Sequence, residues 1–101
     1  MLIVKKMVNT GLFEEIFSSK GRAKIVKILA LRNEMNISKI ISLAGTSHSS
    51  AEYHLNFLKT IEFVREKKFG RIRIFEYQND NLDARALKNL ILFWEQKNVE
   101  L

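Results

Sequence analysis

Two short stretches carry side chains that could do chemistry on a polyanion. The first is Ser47-His48-Ser49-Ser50, followed by Tyr53 and Asn56. Small hydroxyls at a helix start let the backbone come close to a base edge, and the helix N-terminus itself attracts phosphate. Asn56 has the donor and acceptor needed to pair bidentately with adenine. The second stretch is Arg65, Lys67, Lys68, Arg71 and Arg73 around Gly70. Cations on a narrow tip can enter a minor groove or clamp its phosphates. Lysine also guards exposed strand edges against aggregation, but in this basic context phosphate contact is the reading adopted.

Each polar residue also has a structural reading. Ser49 and Glu52 have capping-box spacing, so Ser49 is either a helix cap or a DNA contact, and Glu52 is assigned to capping or an ion pair. Tyr53 either packs on the surface or, as preferred here, gives its hydroxyl to a phosphate. His54 precedes the core position Leu55 and is either a structural hydrogen-bonding group or a contact. His48, at the exposed helix entry, is the better DNA candidate. The two histidines are six apart and share no helical face, which argues against a metal pair. Phe69 is expected to pack back on its hairpin, with a minor-groove wedge as the alternative. Lys20, Arg22, Lys24 and Lys27 read as a solvated helix face, with Lys20 and Arg22 as candidate phosphate neighbours.

The balance of the whole chain supports a polyanionic partner. Seventeen lysines and arginines against 11 aspartates and glutamates give a net charge of +6, which points to nucleic acid first and a membrane surface second. The absence of cysteine excludes disulfides, thiolate metal sites and cysteine nucleophiles. No glycine-rich phosphate loop, nucleophile elbow or ligand cluster appears, so no enzyme activity and no cofactor or metal is expected. Asp80 and Asp83 are a helix-start signature, not an acid–base pair. The opening Met1-Leu2-Ile3-Val4-Lys5-Lys6 is charged too soon for a signal peptide, and no apolar run is long enough for a membrane span. These features predict an intracellular, cytoplasmic and nucleoid-associated protein. With 101 residues and no proline, low-complexity tract or repeat, residues 1–101 are expected to form a single domain.

The elements that must position these side chains follow from hydrophobic period. The first nine residues have no clear period and read as a strand, an arm or a helix start. Leu12, Phe13, Ile16 and Phe17 mark a short helix. Ser19 is a candidate cap for a helix over 22–32, whose stripe is Ile25, Ile28 and Leu29. Met35-Asn36-Ile37 is a short extended link. Ser38 can cap a third helix with Ile40, Ile41 and Ala44 inward, ended by Gly45. Thr46, Ser47 and Ser49 each offer a cap for a fourth, with Ala51, Leu55 and Leu58 inward. Residues 38–59 thus read as helix, turn, helix. Ile72 and Ile74 alternate with Arg71 and Arg73 as in a half-buried strand, paired through Gly70 with 64–68. Asn79-Asp80-Asn81 can cap a last helix over 82–97. Its apolar arc of Leu82, Ala86, Leu87, Leu90, Ile91, Phe93 and Trp94 is wider than one buried face needs.

The stretch from Ile16 to Leu29 resembles the opening of ArsR-type winged-helix repressors and related archaeal regulators. Ser49 to Leu58, with serines, then His-Leu, then a leucine three on, resembles their recognition helix. Phe63-Val64-Arg65-Glu66 and the basic hairpin resemble their wing. The resemblance covers roughly 12–98 and implies a winged helix-turn-helix fold, mainly α with a small β-hairpin wing (α+β), in the order α-α-(short β)-α-α-β-β-α. It also implies a homodimer joined through the first and last helices, here Leu12, Phe13, Leu87, Leu90, Ile91 and Trp94. The family's metal sensing is not carried over. Ser38 to Ala44 lacks the cysteine pair of some members, and 82–97 lacks the histidines of others. Gly21 stands where a bulkier residue is common.

The expected function is sequence-specific binding of double-stranded DNA by a homodimeric transcriptional regulator, a repressor by resemblance. Two alternatives share the fold: an architectural, chromatin-like protein of low specificity, and a protein-interaction winged helix.

Overall fold

A computed structural model of the chain describes residues 11–100, and the side chains of 11–96. The expectation for the first nine residues lies outside that range. The elements are α1 (Leu12–Ile16), α2 (Lys20–Arg32), β1 (Glu34–Asn36), α3 (Ile37–Ala44), α4 (His48–Thr60), β2 (Val64–Phe69), β3 (Ile72–Tyr77) and α5 (Leu82–Glu100). This is a mainly α-helical winged helix-turn-helix fold with a β-hairpin wing, in the element order expected from the sequence.

Helix α2 is the central element. Ser19 caps it by accepting the Arg22 backbone N–H at 3.1 Å, as the sequence predicts. Its Ile25, Val26, Leu29 and Ala30 are buried and pack with Ile40 and Ala44 of α3, Leu55 and Leu58 of α4, and Ala84 and Ile91 of α5 in one core cluster. Helix α3 is capped not by Ser38 but by Asn36, whose side chain accepts the Lys39 N–H at 2.8 Å. Asparagine and serine cap about equally well, so position decides: pairing of β1 with β3 holds Asn36 in extended backbone at the point where the helix begins. Gly45 closes α3 in the left-handed region at φ 68°. That lets the chain reverse within three residues and start α4.

The sheet has the order β1-β3-β2, all antiparallel. The phase of β3 is opposite to the one expected. Phe75 and Tyr77 are buried, so Arg73 shares the inward face, while Ile72 is 55% exposed. The local Ile-Arg alternation is outvoted by the two larger aromatic groups, since a strand's side-chain period of two forces one phase on all of them. Tyr77 donates its hydroxyl to the Ala84 carbonyl at 2.6 Å, and burial pushes its phenol up to about 12. This bond ties β3 to the first turn of α5, where Asn81 caps by accepting the Ala84 N–H at 3.0 Å. Tyr77→Phe is expected to lower stability by about 1 kcal/mol, read as a shift in the urea midpoint with unchanged m-value.

Candidate nucleic-acid interface

The N-terminal end of α4 is built from the cap upward. Ser47, not Ser49, is the N-cap, its hydroxyl accepting the Ser50 N–H at 3.1 Å. Ser47 and Ser49 hydroxyls lie 3.4 Å apart. Capping therefore does not draw Ser49 and Ser50 away from the surface, and Ser47, His48, Ser49, Ser50, Tyr53 and Asn56 are all exposed. Ala51, Leu55 and Leu58 are fully buried on the opposite side. The helix thus turns one polar row outward and keeps it registered on the core.

Glu52 has a role other than capping. It binds the Arg73 guanidinium, one oxygen in a very short contact and the other at 3.1 Å. The same guanidinium bonds Glu66 at 2.5 Å and 3.3 Å, and Lys59 reaches Glu66 at 2.9 Å. The Arg73 hydrogen bonds hold Glu52 below the ordinary carboxylate range and, with help from Lys59, lower Glu66 to about 2. Both carboxylates in turn raise Arg73. Arg73, expected among the DNA-contacting wing residues, is instead a bridge from β3 to α4 and β2. It is placed inward by the phase of β3.

Arg22 differs from expectation in the same way. It is only 2% exposed and is neither a solvated position nor a phosphate neighbour. Its Nε donates to His54 Nδ1 at 3.1 Å, and an Nη donates to the Glu15 carbonyl at 2.6 Å. The guanidinium lies 4.0 Å over the Phe57 ring, which stabilises the buried charge. Because Nδ1 accepts, the neutral His54 ring carries its proton on Nε2, which lies 3.4 Å from the Ser19 hydroxyl. His54 is thus the structural histidine of its two readings. A Cβ at Gly21 would meet the His54 ring at 3.5 Å. That is ordinary van der Waals contact, as is the 3.4 Å approach to Thr46 Cγ2. Lys20 and Lys24 remain exposed, and Lys27 pairs with Glu95 of α5 at 3.4 Å.

On the wing, Arg65 pairs with Glu76 at 3.0 Å and Lys67 with Glu34 at 3.2 Å. Such exposed pairs are weak and exchangeable for phosphate. Among the described residues, Lys68 and Arg71 have no carboxylate partner, so the tip carries uncompensated positive charge. Phe69 does not pack back on the hairpin; it is 61% exposed.

Leu12, Phe13, Phe17, Leu87 and Leu90, with Phe63, line a mainly apolar groove of about 300 Å³ between α1 and α5. Phe13 is 70% exposed, and Leu90 and Trp94 are also exposed. Ile91, expected on the same outer stripe, is buried at 8% exposure and belongs to the core cluster. Among the described residues, no three His, Cys, Asp or Glu side chains gather as they would to hold a metal ion. Nor is any helix there long and apolar enough to cross a membrane.

A polar helix row beside a cationic hairpin, in this element order, defines the class: a winged helix-turn-helix fold. Residues 19–66, just under half the chain, match the model of the bacterial regulatory protein, arsR family. No curated protein matches the chain in sequence. Among solved structures, reduced HlyU from Vibrio cholerae N16961 superposes with a TM-score of 0.71 at 19% identity, covering 88% of this chain and 90% of that one. The transcriptional repressor PagR of Bacillus anthracis gives 0.69 at 17% identity, covering 88% and 98%. Sso10a-2, a DNA-binding protein from Sulfolobus solfataricus, gives 0.55 at 15% identity, covering 76% and 83%. At these identities the likeness is one of fold.

The Arg22–His54 contact makes a pH prediction. Burial, and then the Arg22 charge, lower His54 from its ordinary 6.5, so the unfolded chain takes up this proton first on acidification. The contribution is complete above 6.5 and is lost as the pH falls through the lower folded value. Urea unfolding across that range should show declining stability, and His54→Gln should flatten the decline. An unchanged slope in the variant would contradict the assignment.

Proposed function

We propose that this protein is a non-catalytic, sequence-specific regulator that binds double-stranded DNA as a homodimer and acts as a transcriptional repressor in the cytoplasm, associated with the nucleoid. Residues 1–101 act as one DNA-binding domain. The observation that carries this reading is the exposed polar row Ser47, His48, Ser49, Ser50, Tyr53 and Asn56 on α4, beside a wing whose Lys68 and Arg71 have no carboxylate partner among the described residues. The partial match to the arsR family model and the fold shared with the repressor PagR support the same reading.

The parts divide the work. Lys68 and Arg71 supply phosphate contacts, with Arg65 and Lys67 joining once their exposed ion pairs are exchanged. These contacts give affinity and salt dependence but little sequence information. The α4 row enters the major groove, where Asn56 and the serines read base edges. Arg73 positions the wing and does not itself contact DNA. The second copy docks on the apolar α1–α5 surface through Leu12, Phe13, Leu87, Leu90 and Trp94. Ile91 supports that surface from inside.

Selection of bound fragments from random duplex DNA should recover an inverted repeat with half-sites about one helical turn, ~34 Å, apart. A specificity ratio near one would favour an architectural protein instead. Replacing Lys68 and Arg71 together by alanine should weaken binding to all sequences alike and reduce the slope of log K against log salt by about 2. Asn56→Ala should relax preference at one position per half-site, at a cost of about 1–3 kcal/mol. Unchanged binding by the Lys68/Arg71 variant would remove the wing from the interface.

A further inference from the structure

We propose that the wing tip is an apolar wedge, in which Phe69 and Ile72 enter the minor groove of bound duplex DNA between base steps and bend it. The inference rests on the DNA-binding reading above and adds an activity to it.

Phe69 and Ile72 are the last paired residues before the turn, directly opposite each other in the β2–β3 register. Opposed residues of an antiparallel pair share a face, so the two side chains form one apolar pair. The parity of the strands sets that face. Val64, Glu66, Arg73, Phe75 and Tyr77 share the other, inward side, with the exposed Lys68 at its outer end, which places Phe69 and Ile72 outward. They are 61% and 55% exposed.

Only Gly70 and Arg71 connect the strands. Gly70 has φ 63° and Arg71 is not in the positive-φ region, the pattern of a tight turn with glycine in the first central position. A Cβ added to Gly70 would meet nothing within 4 Å, so the turn stands clear of the rest of the protein. The result is a narrow projection ending in two bulky apolar groups.

Charge identifies the occupant. From Lys68 to Ile72 the tip has two cations and no acid. The nearest wing carboxylates are already held, Glu66 by Arg73 and Lys59, and Glu76 by Arg65. A tip meant for an apolar protein surface gains nothing from Lys68 and Arg71. A tip entering a minor groove needs cations for the phosphates on both sides and an apolar group to unstack a base step. On the inward side, the Arg73 bridge to Glu52 holds β3 against α4 one residue from the tip pair. Insertion force at the tip is thereby opposed by the recognition helix.

The test uses the full chain and a duplex of about 30 base pairs recovered by selection with the unaltered protein, labelled with fluorophores at both ends. Energy transfer should report a bend in the range of about 20–90° on binding. The double variant Phe69→Ser/Ile72→Ser should bind with the same salt slope but lose the bend. Phe69→Leu, which keeps an apolar tip, should retain most of it. Circular dichroism melting of each variant reports the fold independently. If the unaltered protein binds no duplex, the DNA-binding reading falls and this inference with it. If it binds and leaves the duplex straight, or the double variant bends DNA equally, the wedge alone is overturned.

Discussion

Arg73 lies where the two halves of the candidate interface meet, and its guanidinium is divided between Glu52 on α4 and Glu66 on β2. Without it, Glu52 would place an uncompensated negative charge on the helix proposed to approach a polyanion. With it, that charge is neutralised and the hairpin is fixed against the helix. A planar five-donor fork suits this role, because it can bind two carboxylates at once in defined directions. Lys59 adds a second cation to Glu66, so the network runs from the end of α4 through β2 to β3 and back to the second turn of α4.

A second cation, the buried Arg22, fixes the other side of the same helix. Arg22 joins the carbonyl end of α1, the start of α2 and the His54 ring of α4. The two arginines therefore clamp α4 from opposite directions, one against the wing and one against α2. The helix proposed to read DNA, held this way, would lose little conformational freedom on binding. The arrangement explains why a chain so rich in lysine and arginine keeps two of its arginines away from any partner.

Much of the fold was legible because its punctuation is local. Ser19, Gly45 and Asn81 mark helix ends through side-chain or backbone properties that do not depend on the rest of the chain. The end of α4 carries no such mark. Glu62 adopts φ 64° where glycine is usual, and Phe63 N–H closes on the Leu58 carbonyl at 2.9 Å. The candidate site was legible in its exposed polar row and misread at the two arginines that bind within the chain. Arg22 and Arg73 look like surface cations because arginine usually is one, and their partners on α4, His54 and Glu52, lie 32 and 21 residues away. The phase of β3 failed for a related reason: Ile72 and Ile74 give a clean alternation, but Phe75 and Tyr77 bury more area on the opposite face. A sequence hint was the presence of Glu52 on the otherwise neutral or basic helix 48–60 and of Glu66 in the basic strand 64–69.

The central claim is that α4 and the wing form a single DNA-facing surface, separate from the apolar α1–α5 surface. The most direct measurement is an amide chemical-shift map of the ¹⁵N-labelled protein titrated with a duplex recovered by selection. The account predicts that the largest shifts fall on 47–56 and 67–72 together, with the α1 and 82–96 amides nearly unmoved. Shifts confined to one of the two segments, or centred on α1 and α5, would contradict it.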